Sequence, residues 1–156
     1  GRPLILRLAE GLAGCVSAAP VKCQWGACRA AGQLYKSGAL VRCGDGPGGN
    51  EELRQAAHRA LLEALCREAA GAVNMKVRLQ AVQALRQIPT EPCLWALAQA
   101  DAVLVALCDS LQLLDMPAAG GPAEDRNLVT YTKSLRAELY SLGQHWAHCA
   151  PEQPGH

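Results

Sequence analysis

The chain contains no phenylalanine, and aromatic residues make up only 4% of its 156 residues. Strands draw on aromatic and β-branched side chains, so this scarcity argues against a β-sandwich. Net charge is nearly absent as well: 15 Lys and Arg face 14 Asp and Glu, leaving +1. Composition therefore makes no electrostatic case for nucleic acid or an anionic membrane. The eight cysteines, at 15, 23, 28, 43, 66, 93, 108 and 149, include no Cys-x-x-Cys pair. Their irregular spacing argues against a disulfide framework, and thiols in or beside helices behave as small buried hydrophobes. The longest apolar run, Ala102 to Cys108, falls far short of a membrane span. No secretory leader is visible, so a reducing, intracellular setting in cytoplasm or nucleus is expected. The start at Gly1-Arg2-Pro3 suggests a fragment of a longer chain, and Pro151 to His156 reads as a disordered tail.

What is present is alanine and leucine, in a chain that is half apolar. That composition suits closely packed helices. The length is enough for one ordinary domain with its own core. A self-match organises the rest. Val21 to Leu34 returns, altered, as Met75 to Ile88, at an offset of 54 residues. The two copies share Lys22/Lys76, Ala27/Ala81, Ala30/Ala84 and Gln33/Gln87. A repeat at that period is one helical hairpin plus a loop, the mark of a stacked-repeat architecture.

Apolar periodicity predicts six helices. They cover about 3–13, 21–36, 51–70, 75–88, 94–114 and 123–149. Gly14 and Gly71 are expected stops, and Asn50 and Asn74 are expected N-caps. Val21, Trp25, Cys28 and Gly32 form the predicted buried stripe of the second helix. Residues 41–50 and 116–122 read as loops. The helices pair into hairpins at about 3–36, 50–88 and 93–149. A lone hairpin cannot bury both its faces, whereas about three stacked ones share a continuous core.

Lys76-Val77-Arg78, with Ala81, Ala84 and Leu85, resembles the second helix of a HEAT or armadillo-type repeat, whose pattern is Val-Arg-x-x-Ala-x-x-Ala-Leu. Val21-Lys22, Ala27 and Ala30 resemble it too, with Cys23-Gln24 departing from the pattern. Over residues 20–145 the chain is similar to the C-terminal repeats of a HEAT-repeat protein. The resemblance implies an all-α, right-handed α–α superhelix without catalytic residues. It further implies that second helices line a concave surface. Here that surface would carry Lys22, Arg29, Gln33, Lys76, Gln80, Gln83, Gln87, Lys133 and Arg136.

These residues are an ordinary solvated face or a mildly basic groove for an acidic peptide or helix. No aromatic residue is expected to interleave with the basic ones, which weakens a single-strand nucleic-acid reading. Catalytic motifs are missing. The Gly44 to Gly49 run lacks the Gly-Lys-Ser/Thr ending of a phosphate loop. Glu10, Glu63, Glu68 and Asp101 are scattered. His145 and Cys149 stand i, i+4, but zinc normally takes four ligands, or three and water. No metal, cofactor or enzymatic activity is implied. The expected function is protein–protein interaction, with another protein as partner. The rivals are a nucleic-acid or transport adaptor using the basic groove, or a cap on a longer solenoid. A cap's first helix would expose Leu4, Ile5 and Leu8.

Overall fold

A computed structural model of the protein describes residues 3–18, 20–44, 50–115 and 126–151. The architecture is all-α: helices α1 (Leu4–Ala18), α2 (Val21–Lys36), α3 (Ala39–Arg42), α4 (Glu51–Gly71), α5 (Met75–Arg86), α6 (Leu97–Asp115) and α7 (Arg126–Cys149). No strand occurs among the described residues. α1 packs on α2, α4 on α5 and α6 on α7. Between these pairs, α4 lies against both α1 and α6, and α5 lies against both α2 and α7. The result is two layers, α1–α4–α6 and α2–α5–α7, with α4 and α5 central.

The core is built mainly from Leu, Ala and Val on the facing stripes. Leu61 and Leu65 of α4 and Val77, Ala81 and Leu85 of α5 are buried. Small residues set the spacing between α2 and α5. A Cβ added at Gly32 would meet the Ala84 Cα at 3.3 Å, so the two copies of the self-match approach almost backbone to backbone. That is a use of glycine that a larger residue could not replace without moving α2.

Two polar networks are buried between helices, although Arg54 Nη1, Arg78 Nε and Gln99 Oε1 are buried without a hydrogen-bond partner. Tyr35 donates from its hydroxyl to His58 Nδ1 at 2.9 Å. His58 Nε2 lies 3.0 Å from the Leu94 carbonyl, which can only accept, so Nε2 carries the proton. This chain of bonds joins α2, α4 and the link before α6. Arg78 is buried and donates to the Ser110 Oγ at 2.9 Å and carbonyl at 3.2 Å, pinning α5 to α6.

Several boundaries differ from expectation. α1 continues past Gly14 to Ala18, because Val16 is buried in the core. Packing of this kind outweighs the roughly 1 kcal/mol that one glycine costs a helix. Gly71 likewise belongs to α4. Residues 39–42 form a short helix that runs into the start of the expected 41–50 loop, anchored by buried Leu40 after Gly38 at φ 75°. α6 starts three residues late, after a 3₁₀ turn at Pro92–Leu94. Asn50 precedes α4 without a side-chain cap bond, and Glu51 instead pairs with buried Arg54. Asn74 does cap α5, accepting from Lys76 N at 3.0 Å and Val77 N at 3.3 Å. Asn74→Ala is expected to lower the unfolding free energy by about 1 kcal/mol, read from urea titration by circular dichroism. A change under a few tenths would show that the cap bond is not made in solution. The predicted 116–122 loop, residues 45–49 and the tail beyond Pro151 lie outside the described residues.

α6 is long and apolar enough, by length and composition alone, to cross a membrane, although its longest unbroken apolar run is short. Its Asp101 and Asp109 are exposed. None of the eight cysteines forms a disulfide. Cys28, Cys66 and Cys149 are buried, whereas Cys15, Cys23 and Cys108 are exposed, so burial does not account for all of them. Burial pushes the Cys28 and Cys66 thiols up to about 12, which keeps them protonated at neutral pH.

Candidate interaction groove

Two cavities open along the α2–α5–α7 layer. The larger, about 990 Å³, lies where α2, α5 and α7 begin. Its apolar lining includes Val21 and Trp25 of α2, Met75 and Leu79 of α5, and Leu128 and Tyr131 of α7. Lys22 and Lys76 stand at its edge. The smaller, about 350 Å³, lies further along α2 and α5 and is lined by Arg29, Gln33, Lys36, Gln83, Arg86 and Gln87, among others. Gln80 lines both, so the cavities are neighbours along α5.

The self-match explains the layout. Val21 and Met75 hold equivalent places in the two copies, as do Lys22 and Lys76, Trp25 and Leu79, Arg29 and Gln83, and Gln33 and Gln87. One pattern, used twice on adjacent parallel helices, makes an apolar floor at one end and a polar floor at the other.

Seven of the nine predicted positions line these cavities: Lys22, Arg29, Gln33, Lys76, Gln80, Gln83 and Gln87. Lys133 and Arg136 do not. On α7 it is Tyr131 that faces the groove, and Lys133 is two residues on, about 200° round the helix. Arg136 instead pairs with Asp115 of α6 at 3.3 Å. Sequence reasoning missed Lys36 and Arg86, and it assigned Val21 and Trp25 to the core. Val21 is 46% exposed and Trp25 is half-buried. The available signal was the repeat itself, which places Trp25 beside Leu79 and next to two lysines.

The expected separation of aromatic and basic residues is overturned. The Arg29 guanidinium lies 5.7 Å from the Trp25 ring centroid. The Lys76 ammonium lies 5.7 Å from that of Tyr131. Both are cation–π distances.

Charge is segregated between the layers, which the near-zero net charge conceals. α2 and α5 carry Lys22, Arg29, Lys36, Lys76, Arg78 and Arg86 and no carboxylate. α6 carries Asp101, Asp109 and Asp115 and no Lys or Arg. Among the described residues, neither cavity has an Asp or Glu in its lining. Among the described residues a carboxylate does stand close by: Glu138 of α7 meets Arg86 Nε at 3.4 Å and Gln83 Nε2 at 3.4 Å. Arg86 is thus partly neutralised, and Lys22, Lys76, Arg29 and Lys36 dominate the field.

The His145–Cys149 pair sits elsewhere. His145 Nε2 meets the Ile88 carbonyl at 2.7 Å, and the Cys149 Sγ is 3.6 Å from the same nitrogen. No cluster of three or more His, Cys, Asp or Glu suited to a metal forms among the described residues.

The fold and surface thus define an all-helical, two-layer protein with a basic, partly apolar groove on one layer. No protein family, characterised protein or solved structure matches the chain.

Proposed function

We propose that the chain is a non-catalytic protein–protein interaction module, a HEAT/armadillo-like α–α superhelix that holds a partner on its α2–α5–α7 face. The observation that carries this reading is the groove itself: equivalent positions of α2 and α5, two helices that hold no carboxylate of their own, supply both an apolar floor and a set of cations. The stacking of hairpins into two layers supports the repeat architecture.

A second reading, a structural piece of a longer stack, has an observation of its own. α1 leaves Leu4 76% and Leu8 47% exposed. Gly11 and Gly14 of α1 and Gly26 of α2 would meet nothing within 4 Å if given a Cβ. Leu97 and Val105 of α6 are exposed at the other end. Further hairpins packed on either end would cover such surfaces.

Affinity capture from cell extract separates the readings. The wild type is compared with Lys22→Glu/Arg29→Glu/Lys76→Glu and with Leu4→Gln/Leu8→Gln, after circular dichroism has shown equal helicity. The expected result is a protein captured by the wild type and by the α1 variant, and lost with the groove variant. Capture unaffected by charge reversal but lost with the α1 variant would overturn the groove and favour the stacking role.

A further inference from the structure

Building on the interaction reading, we infer that the groove's partner is an acidic segment with a large apolar anchor. The anchor sits on Val21, Met75, Leu79 and Leu128. The carboxylates reach Lys22 and Lys76 at the cavity edge and Arg29 and Lys36 beyond it.

Three observations converge on this chemistry. The first is charge: among the described residues the smaller cavity is lined by Arg29, Lys36, Arg86 and glutamines, the larger one adds Lys22 and Lys76, and neither lining holds a carboxylate. A basic or neutral occupant would leave those cations without counter-charge. The second is the apolar floor. Its cavity, about 990 Å³, is at the upper end of the roughly 300–1,000 Å³ typical of ligand sites, with room for bulky side chains. Apolar residues left open to water gain only when an apolar group covers them. A purely acidic chain would leave that floor wet.

The third observation decides between protein and nucleic acid. A single-stranded nucleic acid would need free aromatic faces on which to stack its bases. Here the Arg29 guanidinium and the Lys76 ammonium already lie against Trp25 and Tyr131. The remaining floor is aliphatic: Val21, Met75, Leu79 and Leu128. Flexible and branched aliphatic surfaces accept side chains rather than bases, and Met75 adds adaptability. The reach also fits a short peptide. From Met75 to Gln87 the groove follows α5 for about 18 Å, roughly three turns of helix or five to six extended residues.

The test is selection from a display library of random 16-residue peptides on the full 156-residue chain. Enriched peptides are expected to carry an excess of Asp and Glu around a Trp, Phe or Leu. Fluorescence anisotropy of one such peptide should show at least tenfold weaker binding to Lys22→Glu/Lys76→Glu. A similar loss is expected with Val21→Asp/Leu128→Asp, two positions exposed enough (46% and 44%) to tolerate the change. Serine in place of the peptide's anchor should cost at least tenfold too. Unchanged unfolding midpoints show that the variants are folded. Neutral or basic enriched peptides, no enrichment, or indifference to the anchor would overturn the inference. So would a 16-nucleotide RNA or DNA that binds tighter than any selected peptide. A cell partner that needs Lys22, Arg29 and Lys76 but is not displaced by the acidic peptide sinks this chemistry and leaves the interaction reading standing. A partner that ignores those residues sinks both.

Discussion

Trp95→Ala is expected to lower the unfolding free energy by about 4 kcal/mol, the largest single-residue loss in the protein. Trp95 is 2% exposed and lies in the link between α5 and α6. Its indole Nε1 donates to the Pro89 carbonyl at 2.7 Å. Its ring meets that of His145 of α7 edge-on, with centroids 5.8 Å apart. His145 in turn reaches the Ile88 carbonyl at 2.7 Å. Truncation would remove a large buried ring, leave the Pro89 carbonyl without its donor and undercut the docking of α7. Trp95→Phe keeps most of the volume and is expected to cost only about 1–2 kcal/mol. Urea unfolding followed by circular dichroism measures both. A loss below about 1 kcal/mol for the alanine variant would mean that this link is not packed as described.

Acid should destabilise the fold through His58. Burial, with the Arg54 charge beside it, lowers its pKa from 6.5 to about 4, against a smaller opposing effect of the bond to Leu94. The unfolded chain then holds the proton more readily than the folded one between these values. Stability is therefore complete above pH 6.5 and falls as the pH drops toward 4. The shift corresponds to about 3 kcal/mol, and the group is buried enough for little of that to be screened. Asp and Glu titrate nearby, so His58→Gln supplies the comparison. Glutamine can accept from Tyr35 and donate to Leu94 but cannot take up a proton. Unfolding free energies at pH 7.5, 6, 5 and 4 should fall more steeply for the wild type than for the variant. Parallel profiles would rule out a buried, neutral His58.

Residues with one role were easy to read. α2 could be bounded from sequence, because Pro20 precedes it and Ser37-Gly38 ends it. Asn74 announced α5 by its position alone. The errors fall where a second contact outweighed a local rule. α6 begins late because Trp95, with φ −123° and ψ 34°, turns its ring to Pro89 instead of continuing a helix. Arg54 and His58 share the inward face of α4 with Leu61 and Leu65, and no apolar pattern assigns polar residues there. His58 is held there by partners on α2 and before α6, far away in sequence, whereas Arg54 pairs with Glu51 three residues earlier.

The groove was half legible for a similar reason. Its cations and glutamines stood out because they repeat on α2 and α5 and have no business in a core. Its floor did not, because an apolar residue at helical spacing is normally inward. Val21, Trp25, Met75 and Leu79 lie in the first turns of α2 and α5, at the end of the layer. Only the neighbouring helix, in three dimensions, separates the covered side chains from the open ones. Lys133 and Arg136 line neither cavity, and no third copy of the self-match fixes the rotation of α7.

The separation of charge between the layers gives a nearly neutral molecule a direction. An approaching anionic surface attracts the α2–α5 side and repels α6, which exerts a torque before any atom touches. The layers are about 8–10 Å apart, comparable to the screening length of about 8 Å at physiological ionic strength. The turning force therefore acts only over the last nanometre of approach, where random tumbling would otherwise present the wrong side most of the time. Pre-alignment of this sort speeds productive encounters while leaving the lifetime of the complex to the apolar seat.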